Sequence, residues 1–122
     1  EAALRDLAAP LGPRGIDVTI EAPPGLNLKP ALETLFYRSA QEAIRNIVNH
    51  SGASHASFRV DDDAEHVRLV VEDDGRGFTS GVEDGHLGLR LLADLAREVG
   101  GTLKVDSAAG TGTRVCIEVP RT

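Results

Sequence analysis

The spacing of apolar positions divides the chain into eight predicted elements. Over residues 1–11, Leu4, Leu7, Ala8 and Leu11 recur at helical spacing, and Pro10, Gly12 and Pro13 close the segment. This predicts a short amphipathic helix that either packs on the domain or ends a preceding one. Residues 15–21 alternate with period two around Ile16, Val18 and Ile20, a strand with one buried face that Pro23-Pro24-Gly25 terminates. Pro30 suits a first helical turn. From Ala31 to about His50, Leu32, Leu35, Phe36, Ala40, Ala43 and Ile47 trace the apolar stripe of the longest helix, which must face a sheet. Residues 54–60 and 67–71 read as a strand pair joined by the acidic turn Asp61-Asp62-Asp63-Ala64-Glu65. Residues 89–99 form a second amphipathic helix ended by Gly100-Gly101, and 102–107 and 112–119 form a closing hairpin. Strands pairing mostly as hairpins, with helices on one face, predict an α+β fold: a two-layer sandwich with a mixed, mostly antiparallel sheet.

Composition narrows the functions open to such a fold. A length of 122 residues fits one domain over 1–122, and 41% apolar with 3% aromatic residues means a core of Ala, Leu, Val and Ile. Three Phe, one Tyr and no Trp leave too few rings for a base-stacking surface. Thirteen basic against nineteen acidic residues, a net charge of −6, repel a phosphate backbone, so no nucleic-acid partner is expected. Cys116 is the sole cysteine and sits in an alternating strand pattern, so no internal disulfide can form. No stretch approaches a membrane span of about 18 apolar residues, and the first residues lack the form of a signal peptide. A cytoplasmic domain without membrane contact of its own is expected. The chain opens inside a helical pattern without Met, the pattern of an excised fragment.

Candidate chemistry gathers where the strand Val70-Val71 runs into Glu72-Asp73-Asp74-Gly75-Arg76-Gly77-Phe78. A carboxylate at a strand end can accept from an amino group, and the glycines permit close approach of a ligand. On the long helix Glu42, Asn46 and Asn49 lie three and four apart, so a carboxylate and two amides project from consecutive turns toward one place. Two more glycine turns follow, Gly85-His86-Leu87-Gly88-Leu89 at the entry to a helix, where backbone N–H groups suit phosphate oxygens, and Gly110-Thr111-Gly112-Thr113. Asp74 is assigned to turn chemistry through nearby backbone N–H groups. His50, His55, His66 and His86 lack metal-ligand spacing with one another or with Cys116.

Taken in order, these motifs closely resemble the ATP-binding catalytic domain of sensor histidine kinases in the GHKL superfamily, over nearly the whole chain. Residues 41–50 look like the N box, 73–78 the G1 box, 85–89 the G2 box and 110–113 the closing turn. The wording Gln41-Glu42-Ala43, His50 after the asparagines, and Asp73-Asp74-Gly75-Arg76-Gly77-Phe78 are most similar to the NarL-type kinases, as is the short segment between Phe78 and Gly85. The resemblance implies the Bergerat ATPase fold, ATP and Mg²⁺ as cofactors, and phosphoryl transfer to a histidine. Asp73 would bind the adenine amino group with Thr113 in support, and Asn46 would ligate Mg²⁺. Glu42 would hold a metal-bound water or help polarise the reaction. Gly75 and Gly77 would clear the base and ribose, while Gly85, Leu87, Gly88 and Leu89 line the phosphate end. Many relatives carry Lys at the position of Asn49, so Arg45 or Arg90 is left to supply a phosphate contact.

The implied partners are an upstream dimerisation and phosphoacceptor domain of the same protein, and a response regulator. The dimerisation, phosphoacceptor and sensor domains are absent from these 122 residues, and the full-length protein is free to be membrane-anchored. Two rivals stand beside this expectation: an anti-sigma-factor-type serine kinase of the same superfamily, and a degenerate nucleotide-binding regulatory module.

Overall fold

A computed structural model describes residues 2–23, 28–48, 52–75, 86–108 and 112–120. The elements run α1 (Ala2–Ala8), a 3-10 helix (Ala9–Arg14), β1 (Asp17–Glu21), α2 (Pro30–Asn46), β2 (His55–Asp62), β3 (His66–Asp73), α3 (His86–Glu98), β4 (Thr102–Ala108) and β5 (Gly112–Pro120). One five-stranded sheet has the order β1-β2-β3-β5-β4. β1 pairs parallel with β2, and every other pairing is antiparallel. A parallel pair needs a crossover, and α2 supplies it.

The helices cover one face of this sheet. Ala56 and Phe58 of β2, Val67, Leu69 and Val71 of β3, and Val115, Ile117 and Val119 of β5 all join the core at period two. From α2 come Leu32, Leu35, Phe36, Ala40, Ala43, Ile44 and Ile47, the predicted stripe with Ile44 added. Ser39 is buried among them because its hydroxyl donates to the Leu35 carbonyl at 2.8 Å. Phe58, Leu69 and Ile117 are at most 1% exposed, and each such side chain contributes about 1.5–3 kcal/mol through burial. Leu11 is fully buried and Leu4 and Leu7 pack beside it, so the N-terminal helix belongs to this domain's core. Among the described residues no helix is long and apolar enough to cross a membrane.

Several boundaries differ from the sequence pattern for physical reasons. Gly15 does not begin β1. It caps the 3-10 helix in the left-handed region, φ 81°, with its N–H donating to the Gly12 carbonyl at 2.9 Å. α2 keeps α geometry to Asn46 and continues in π geometry through Ile47 and Val48. α3 begins at His86 and therefore takes in Gly88, which a helix's first turn tolerates.

The acidic hairpin tip is shorter than predicted, because β2 runs to Asp62 and β3 starts at His66. Asp63 builds the turn. Its Oδ1 accepts from the N–H groups of Glu65 and His66, both at 2.8 Å, and its Oδ2 from Arg68 Nη2 at 3.0 Å. Those hydrogen bonds, led by the Glu65 N–H, pull the carboxyl down from 3.8 to about 2. Because the folded value is depressed, the stabilisation is present above the unfolded value and is lost as pH falls through the folded one. Asp63→Ala is expected to lower the urea midpoint at neutral pH. In parallel urea titrations that difference should shrink below pH 3.8 and be nearly gone at about pH 2.

Candidate functional site

Asp73 is the last residue of β3, and its register neighbours are Ala56 on β2 and Thr113 on β5. Its carboxylate is half-buried, and Oδ1 accepts the Gly75 N–H at 2.8 Å, closing an Asx turn over the strand exit. Burial raises the Asp73 pKa, partly offset by the Gly75 N–H, and the neighbouring Asp74 charge raises it further. The hydrogen bond engages one oxygen and leaves Oδ2 for another partner. Gly75 is itself buried.

The start of β5 is shaped around this residue. Gly112 has φ 92°, and a Cβ there would lie 2.1 Å from the Asp73 carbonyl oxygen. No side chain fits that gap, so only glycine lets β5 approach the end of β3 this closely. Sequence reasoning placed Gly112 in a closing turn without giving it a role at the site. The signal was its place one residue before Thr113, the register partner of Asp73.

The second group of residues lies at the C-terminal end of α2. Asn46 is 6% exposed, and neither Oδ1 nor Nδ2 of its buried carboxamide has a hydrogen-bond partner among the described residues. One turn earlier Glu42 Oε1 is likewise buried and without a hydrogen bond. Arg45 Nη2 stands 3.6 Å from that oxygen, an ion-pair separation too long for a hydrogen bond. Three buried polar atoms without a hydrogen bond among the described residues lie on one helical face, and the two of Asn46, which have no ion pair to offset the lost water, are costly in the bare fold. Oxygens from an amide and a carboxylate suit Mg²⁺, which takes hard ligands and keeps open positions for water and phosphate.

Topology brings the two groups to one edge of the sandwich. Only residues 47–54 separate Asn46 from His55, and Ala56, one position on, lies beside Asp73. The predicted phosphate-end residues Leu87, Gly88 and Leu89 fall in the first turn of α3, and Arg90 follows on its exposed side. Arg45 faces the Glu42 carboxylate with 60% of its side chain exposed. Asn49, Gly77 and Gly85 lie outside the described residues. A separate cleft of about 400 Å³, lined by Arg5, Ala8, Gly12, Gly15 and Ile16 together with Val18 of β1, holds none of the predicted site residues.

Asp74 does not act locally as its position in the sequence suggested. Its carboxylate accepts from Ser54 N–H, Ser54 Oγ–H and His55 N–H, each at 2.9 Å and from 19 or 20 residues away. The local turn belongs to Asp73 instead.

Comparison with known proteins agrees with this architecture. The family of histidine kinase-, DNA gyrase B- and HSP90-like ATPases matches residues 31–122. The chain is 33% identical over 100 residues to the histidine-protein kinase/phosphatase DegS of Bacillus subtilis, covering 76% of this chain and 25% of DegS. It is 32% identical over 126 residues to the sensor histidine kinase NarS of Mycobacterium tuberculosis, covering 97% of this chain and 28% of NarS. The chain thus spans about a quarter of the length of these curated relatives. The histidine kinase domain of the Erythrobacter litoralis blue-light activated kinase superposes with a TM-score of 0.81 at 25% identity, over 97% of this chain and 57% of that one. With the family match spanning α2 to the end of β5, the chain belongs to the histidine kinase-, DNA gyrase B- and HSP90-like ATPases.

Proposed function

We propose that this chain is the Mg-ATP-binding catalytic domain of a two-component sensor histidine kinase. It would supply the γ-phosphoryl group to a histidine on an upstream dimerisation domain of the same protein, for relay to a response regulator. The observation that carries the reading is the Asn46 carboxamide, buried with neither end hydrogen-bonded among the described residues, one turn from the buried Glu42 oxygen that lacks a hydrogen bond and has only the 3.6 Å ion pair to Arg45. ATP binding is what the family implies, and the kinase reading is supported by relatives that are sensor histidine kinases.

Each residue then has a task its position suits. Asp73 Oδ2 accepts from the adenine amino group while Oδ1 stays tied to Gly75. Thr113, its register partner, supports it from β5. Gly75 and Gly77 clear the base and ribose. Asn46 Oδ1 would ligate Mg²⁺, and Glu42 would hold a bound water. Bound Mg²⁺ supplies charge neutralisation on the triphosphate, the main requirement of phosphoryl transfer besides positioning. The first turn of α3, with Leu87, Gly88 and Leu89, offers backbone N–H groups to the phosphates. Asn49 and Arg90 are assigned to the same end, with Arg45 as the other candidate cation.

Thermal denaturation tests the reading. Saturating ATP with Mg²⁺ is expected to stabilise the chain by about 2.7 kcal/mol at a ligand concentration 100 times Kd, and by less with chelator present. An unchanged midpoint at millimolar Mg-ATP would sink the proposal.

A further inference from the structure

We propose that Asp74 is a positioning residue for the nucleotide site: it fastens the β3 exit that carries Asp73 to the segment returning from the Glu42–Asn46 helix. The inference rests on the Mg-ATP reading above and adds a residue to it. Asp74 Oδ1 accepts from Ser54 N–H and His55 N–H, and Oδ2 from Ser54 Oγ–H. The backbone returns the bond, with Asp74 N–H donating to the His55 carbonyl at 3.2 Å. Ser54 is anchored on its other side too, since its carbonyl accepts the Asp17 N–H of β1 at 2.9 Å. Ser54 therefore joins the ends of three strands at the edge where both halves of the site lie.

The geometry argues for positioning rather than ligand contact. All the acceptor capacity Asp74 uses is directed at Ser54 and His55, while the adjacent Asp73 keeps an oxygen for the base. These bonds hold the Asp74 pKa below its ordinary value, the His55 N–H contributing most, so the carboxylate stays charged and able to accept. A ligand that touches only the Asp73 wall does not need the clamp. One that reaches from Asp73 to Asn46 does, because misplacing one wall spoils simultaneous contact with both.

The test compares adenosine with Mg-ATP, titrated by amide NMR and calorimetry into the unaltered chain and into Asp74→Ala, Asp74→Asn and Ser54→Ala. Asp74→Ala should leave adenosine affinity within about twofold and weaken Mg-ATP by about tenfold or more. Ser54→Ala, which removes only the hydroxyl bond, should lie between, and Asp74→Asn should recover part of the loss by keeping an acceptor oxygen. Equal losses for both ligands would mean that Asp74 serves the base wall alone, and the proposal fails. A lowered denaturation midpoint with both affinities unchanged would reduce Asp74 to a structural role and also overturns it. Should Asp74→Ala not fold, the Mg-ATP to adenosine ratio of Ser54→Ala decides. If the unaltered chain binds neither ligand, it is the nucleotide reading itself that falls.

Discussion

Asn46→Ala is expected to leave the unliganded chain at least as stable as before while abolishing its response to Mg-ATP. The carboxamide is buried with both polar atoms unbonded among the described residues, and a buried group without a partner costs about 1–3 kcal/mol. Alanine removes that cost and is also the better helix former, by several tenths of a kcal/mol up to about 0.7. The small cavity left behind works in the opposite direction, so the net change in urea midpoint should be zero or upward. With Mg-ATP the order reverses. The unaltered chain gains ligand stabilisation, about 2.7 kcal/mol at 100 times Kd, and the variant should show little of it. Urea titrations with and without Mg-ATP measure both halves. A midpoint well below that of the unaltered chain without ligand would place the carboxamide in the service of the fold rather than the ligand.

Asp73→Asn should act in the complementary way, on base recognition. The amide can keep one oxygen on the Gly75 N–H, so the turn survives and stability should change little. What replaces the second carboxylate oxygen is an NH₂ group, and it would meet the adenine amino group donor to donor. The expected loss is about 1–3 kcal/mol, tenfold to a hundredfold in ATP affinity. GTP presents a carbonyl oxygen where ATP has the amino group, so the ATP-to-GTP preference should narrow or invert. An unaltered preference, measured by calorimetry with both nucleotides, would remove Asp73 from base reading.

The same residue predicts a pH effect whose sign separates binding from folding. Burial raises the Asp73 pKa, so acidification protonates the carboxyl and removes an acceptor, and ATP affinity should fall with pH. The folded value lies above the unfolded one, so that protonation favours the fold. Lost affinity on mild acidification therefore cannot come from Asp73 unfolding the chain.

The pattern of the sequence reached far into this structure where the physics is local. The α2 stripe follows from 3.6-residue spacing, and all six of its predicted positions are buried. The hairpin tip was overestimated because Asp61 and Asp62 look like turn residues. They lie instead on β2: Asp61 is on the solvated face, where Arg59 Nε pairs with it at 2.9 Å, and Asp62 is exposed at the strand's end. Asp73 and Asp74 show where local reading ends. Neighbours of identical chemistry divide their work according to partners, and those of Asp74 are 19 and 20 residues distant, chosen by strand register. The approach of Gly112 to Asp73 has the same origin.

The bonds at Ser54 also bear on how this domain tolerates changes in length. Connecting segments usually absorb insertions and deletions readily, and the tip built by Asp63 joins two strands free to lengthen together. The connection from Asn46 to His55 is different. It leaves a buried residue at one end and is held at the other to both β1 and the exit of β3. A residue added to or removed from the eight that separate Asn46 from His55 changes the span between two fixed points, Asn46 in the core and Ser54 on its strand ends, and so bears on how the two walls of the site meet.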